Sequence, residues 1–145
     1  MMMRNPWSEV IRNLAVLMFL SLPLIALLIG LQALIFPPQW MQGGKWALGD
    51  RIMGVAGQLI YLALPMLVAG VVHQVILWMM PASLTGGTQR LVTRLSVLAI
   101  PVVLVALAAD RVLVSNPRSA IPLAIGLVAY AWLVHPIRRP STAAG

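Results

Sequence analysis

Cysteine is absent from the chain, and its acidic side chains number only three: Glu9, Asp50 and Asp110. The first absence excludes disulfides, thiolate catalysis, Cys-type zinc sites and palmitoylation together. The scarcity of carboxylates argues against a membrane hydrolase, which needs a nucleophile with its base, a metal cluster or paired acids. Transport coupled to protons or sodium commonly uses an intramembrane acid, and none of the three lies in the middle of an apolar run. Gly86-Gly87 is too short and isolated for a phosphate loop and reads as a turn. Enzyme is therefore the least favoured class, and neither a metal nor a cofactor is expected.

Charge in general is also scarce. Of the 145 residues, 61% are hydrophobic and 9% charged, against about 25% charged in a soluble domain. Too little polar sequence remains to cover an apolar core, so lipid must cover the rest. The net charge of +7 comes from ten Lys and Arg set singly or in pairs at the ends of apolar segments. That placement argues against nucleic acid and for a bilayer with anionic headgroups, each nearby cation adding about 1 kcal/mol of attraction.

Proline is abundant, by contrast, and four copies fall inside apolar stretches in one recurring setting: Ser21-Leu22-Pro23, Ala63-Leu64-Pro65, Ala99-Ile100-Pro101 and Ala120-Ile121-Pro122. Membrane helices tolerate such prolines because neighbouring helices and local rearrangement satisfy the freed carbonyl. Pro122 falls in the first turns of its helix, where the lost donor matters little. Pro23, Pro65 and Pro101 lie deeper and are candidates for bends.

A crossing helix needs about 20 predominantly apolar residues, and the sequence predicts four, at about 14–36, 52–80, 91–114 and 119–137. The expected fold is an all-α integral membrane protein, a single domain of four transmembrane helices in an antiparallel up-down bundle, because the connections are short. The first span is too long for a signal h-region and reads as an uncleaved anchor. Before it, Asn5-Pro6-Trp7 has the cap-then-proline form, with Glu9 in the first turn, and predicts a short interfacial helix. Asn116-Pro117 repeats that form before the fourth span.

Orientation follows from the positive-inside count. The amino terminus, second loop and carboxyl terminus hold Arg4, Arg12, Arg90, Arg94, Arg138 and Arg139, against Lys45, Arg51, Arg111 and Arg118 on the other side. Both termini are thus expected in the cytoplasm, with a bacterial inner membrane as the setting. Trp7, Trp78 and Trp132 would mark the inner interface, and Trp40 and Trp46 the outer one.

Polar residues within a span are where function would sit. On the second span, Gly54, Gln58, Tyr61, Pro65, Ala69 and His73 fall within about a third of the helix circumference. The stripe reads either as a polar pathway or as a packing seam, and the absence of permanent charge favours the seam. His73 and His135 could together ligate a haem iron, but two histidines on different helices are a weak signal, and interhelical hydrogen bonding is the commoner role. Asp50-Arg51 and Asp110-Arg111 would meet at the outer interface, either as crossed pairs, Asp50 with Arg111 and Asp110 with Arg51, or solvated independently. Ala26 with Gly30 and Ala120 with Ala124 offer small-residue contacts within the monomer or between copies. The function expected is that of a noncatalytic accessory or scaffold subunit acting through helix packing, in a homo-oligomer or larger membrane complex. A solute or ion pathway along the second span is the alternative, and a haem-bearing electron carrier a weaker one.

Overall fold

A computed structural model describes residues 5–37, 48–107 and 117–137. All regular structure among these residues is helical: α1 (Pro6–Val16), α2 (Leu22–Ile35), α3 (Leu48–Met79), α4 (Gly86–Leu95), α5 (Ala99–Ala106) and α6 (Ala120–Leu133). Three helical stretches, Pro6–Ile35, Ile60–Met79 and Gly86–Ala106, are long and apolar enough to cross a membrane, and Pro117–Leu133 is a shorter apolar helix.

The first rod starts as its sequence dictates. Asn5 is extended, its side chain accepts from the Trp7 N–H at 3.1 Å, Pro6 occupies the first turn and Glu9 follows. The cap satisfies an otherwise orphaned donor and the acid suits the helix dipole. The interfacial helix expected before Leu14 is not a separate element. It runs directly into the span, because nothing between Val16 and Leu22 breaks helical geometry.

What lies between them is a π turn, Leu17–Ser21, closed by the Leu22 N–H on the Leu17 carbonyl. Its position is explained by Pro23. In a regular α-helix the proline ring collides with the carbonyl four residues back, here that of Phe19, and the widened turn contains Phe19. The same logic recurs twice. Pro101 would strike Val97, which lies in a 3₁₀ turn, Ser96–Leu98. Pro122 would strike Arg118, which lies in another, Pro117–Ser119. Pro65 alone sits within an uninterrupted α-helix. Three of the four prolines are thus accommodated by a local change of helical pitch over the residue they would hit.

Buried positions recur three and four residues apart, as packed helices require. They are Ile25, Ile29 and Ala33 on α2; Leu62, Met66, Ala69 and Leu77 on α3; Val97, Ile100 and Leu104 across the 3₁₀ turn and α5; and Leu123, Leu127 and Tyr130 on α6. They form one cluster, in which α2 packs on α3 and α6, and α3 packs on α5. The outward faces are apolar too: Phe19, Leu27, Ile60, Leu64, Leu98, Val102, Ile121 and Val128 are all exposed. A helix hydrophobic all round suits a lipid surrounding rather than water. After α6 the chain turns extended at Val134, and Val134 and Ile137 are buried back against the helices.

Candidate functional site

A group of buried polar side chains gathers at the end of the molecule where α1 begins and α3 ends, while Ser21 and Ser119 are buried elsewhere. Asn13 on α1, His73 and Gln74 on α3, and Tyr130 on α6 are all nearly inaccessible. Buried polar groups are costly unless bonded, and here they bond one another. The Asn13 amide donates to Gln74 Oε1 at 3.0 Å and to the His135 carbonyl at 2.9 Å, while Asn13 Oδ1 accepts from the His135 N–H at 3.0 Å. One side chain thereby tethers both α3 and the extended segment after α6. The Gln74 amide donates to Tyr130 Oη at 3.0 Å.

From Tyr130 a second run leads through His73, whose Nδ1 lies 3.1 Å from Tyr130 Oη and whose Nε2 lies 2.8 Å from Ser96 Oγ. The donors can be assigned by working back from its fixed end. Ser96 Oγ donates to the Thr93 carbonyl at 2.7 Å, and a hydroxyl has one hydrogen to give. Ser96 must therefore accept from His73, which puts the imidazole hydrogen on Nε2 and makes Nδ1 an acceptor. The Tyr130 hydroxyl then donates to Nδ1 while accepting from Gln74. Every bond in the run has one donor and one acceptor, all pointing from Gln74 toward Thr93. Ser96 is held in reach of His73 by the 3₁₀ turn upstream of Pro101, so the proline setting serves the site as well as the backbone.

The residues singled out on the second span do not form one buried face. His73 and Ala69 are buried, Pro65 and Gly54 are half-buried, and Tyr61 is 52% exposed. Gln58 belongs to the α3 backbone, and its side chain lies outside the described residues. The face that packs runs through Leu62, Met66, Ala69, Gly70, His73, Gln74 and Leu77. Haem ligation by His73 would require breaking its bond to Ser96 or to Tyr130. His135 Nδ1 faces the Leu133 carbonyl at 3.0 Å, and since a carbonyl only accepts, that nitrogen donates.

Of the crossed ion pairs, Asp110 and Arg111 lie outside the described residues, Asp50 is exposed and Arg51 is half-buried. Trp7 and Trp78 meet with ring centroids 5.3 Å apart, and the Arg94 guanidinium lies 4.4 Å over the ring of Trp132. At the far end of the first rod, Gln32 donates to the Arg118 carbonyl at 3.0 Å, and the Arg118 guanidinium lies over Phe36.

Asn13, Gln74, Ser96 and Tyr130 were not singled out by the sequence. The available signal was that Gln74 and Tyr130 are hydrogen-bonding residues inside apolar runs. Tyrosine supplies a direct check. Tyr130→Phe is expected to lower stability in detergent by about 1–2 kcal/mol, since it orphans buried donor and acceptor groups. Tyr61→Phe, on the exposed face, is expected to change it little, and equal losses from the two would contradict the assigned network.

Among the described residues, fold and site together are those of an all-helical protein with three helices of membrane-crossing length, cross-linked near one end by a polar network. No family model, curated protein or solved structure matches the chain.

Proposed function

We propose that this chain is a four-span membrane protein of a bacterial cytoplasmic membrane, its successive helices antiparallel and both termini cytoplasmic. We assign it the role of a noncatalytic accessory or scaffold subunit that acts through helix packing, within a homo-oligomer or a larger membrane complex. The fourth span in this reading is Pro117–Leu133, which at 1.5 Å per residue is about 25 Å long, near the lower limit for a crossing.

The observation that carries the role is the closed hydrogen-bonding of Asn13, Gln74, Tyr130, His73 and Ser96. A pathway needs polar groups turned toward a solute, whereas these are spent on one another and join α1, α3, α4, α6 and the terminal segment. The outward apolar faces of α2, α3 and α5 supply surface for lipid or for a partner's helices.

Purification from the native membrane in mild detergent, with identification of co-purifying chains, is the test. A stable stoichiometric membrane partner, or a homo-oligomer impermeable to ions and small solutes in liposomes, is expected. A homo-oligomer whose liposome flux changes on replacing Gln58 or His73 would overturn the scaffold reading in favour of a pathway. A reporter active only outside the cytoplasm, fused to the carboxyl terminus, should stay silent.

A further inference from the structure

The end of the molecule that carries Glu9 also holds a cavity of about 350 Å³, formed by α1, α4, the last turn of α6 and the segment after it. Glu9, Arg90, Arg94, Trp132 and His135 are among its lining residues. Arg90 and Arg94 are four residues apart on α4 and so share a face. Like charges at that spacing repel, and an anion between them removes the penalty. Arg94 is held with its guanidinium over the Trp132 ring, an arrangement that uses the face of the group and leaves its edge N–H bonds for a ligand.

Glu9 is the counterweight. It is buried on α1 and lines the same cavity, so a second negative charge on a ligand would face a carboxylate. Such a site suits a singly charged phosphodiester better than a doubly charged phosphomonoester, against which the carboxylate would act. Trp7 and Trp78, whose rings meet at a tilt of 43° at this end, would set the cavity at the depth that interfacial tryptophans take in a membrane, the level of lipid headgroups.

We propose that this cavity binds a phosphodiester monoanion, with Arg90 and Arg94 as its ligands and Glu9 limiting the charge it accepts. The anion site stands without the scaffold reading. Only its filling from lipid depends on the chain crossing a membrane, so failure of the scaffold assignment and failure of this site are separately visible. The source of the phosphodiester is either the headgroup of an anionic phospholipid or a free glycerophosphodiester.

The test is native mass spectrometry of the intact protein in detergent micelles carrying dioleoylphosphatidylglycerol, dioleoylphosphatidic acid or dioleoylglycerol, which lacks the phosphate. Phosphatidylglycerol should bind at least about tenfold more tightly than dioleoylglycerol, and Arg90→Gln with Arg94→Gln should remove that advantage, as loss of two charge-assisted contacts predicts. Both arginines are exposed, so the double variant should fold. Arg118→Gln, a cation removed from the other end, should leave binding unchanged. Glu9→Gln should shift preference toward phosphatidic acid. Free glycerophosphoglycerol that displaces the lipid supports the site with a soluble ligand as source, and lipid retained against it supports the site with lipid as source. Equal binding of phosphatidylglycerol and dioleoylglycerol would overturn the proposal, and so would binding that survives the double variant or falls as far in Arg118→Gln.

Discussion

Gly126→Ala is expected to destabilise the protein by about 1–3 kcal/mol, the range for overpacking a filled core, although it adds a single methyl group. A Cβ at this position would meet Ile25 Cγ1, approach Ile25 Cδ1 to 2.6 Å and the Ser21 carbonyl oxygen to 3.3 Å. None of these gives way easily. Ile25 is fully buried, its Cγ1 is next to the branch point, and the Ser21 carbonyl is backbone in the π turn. The glycine is thus what lets α6 lie against the turn that Pro23 imposes on the first rod. Gly70 offers the control, because a Cβ there meets the outer methyls of Leu17 and Leu14 at 2.6 and 3.1 Å, which rotate more cheaply. Thermal unfolding in detergent should rank Gly126→Ala well below Gly70→Ala. In a cycle with Ile25→Ala, the double variant should lose less than the sum of the single losses by at least about 1 kcal/mol, as contacting residues do. Simple additivity would show that the close approach is not what limits this position.

Asn13→Ala is expected to cost about 2–4 kcal/mol, since it deletes three hydrogen bonds, worth about 0.6 to 2 each between membrane helices, and orphans their partners. The loss should also be local. Asn13 holds the His135 backbone by both its N–H and its carbonyl, so the segment from Val134 to Ile137 should detach first. Limited proteolysis should then cut near His135 much faster than in the unaltered protein, while cleavage in the α3–α4 turn stays the same. A stability loss below about 0.5 kcal/mol, the range of an ordinary surface change, with unaltered proteolysis, would mean that Asn13 does not tie the segment down.

How much of this was legible in the sequence depends on the range of the interaction involved. The cap at Asn5-Pro6 and the apolar helices were readable because they depend on neighbours within a few residues. The proline settings were recognised, but their outcome was not. Pro23 and Pro101 impose a change of pitch on the turn before them, while Pro65 lies within an uninterrupted α-helix. The packed face of α3 was missed by about one residue, Leu62 and Met66 in place of Tyr61 and Pro65. In water, polarity would have marked the outside of the helix, but when both faces are apolar only the neighbouring helices decide which is buried, and the sequence does not carry their positions. Asn13 shows the same limit, since its partners Gln74 and His135 lie far along the chain.

The hydrogen-bond run through Tyr130, His73 and Ser96 has a direction, and that direction bears on proton movement. A relay must accept a proton at one end and release one at the other, after which each hydroxyl and imidazole reorients for the next. This run ends on the peptide carbonyl of Thr93, which has no hydrogen to release, and Tyr130 is itself pinned by the donated amide of Gln74. A proton entering it would have nowhere to go. The three groups that could have made a wire across this end of the molecule are wired shut, which makes the run an insulating strut.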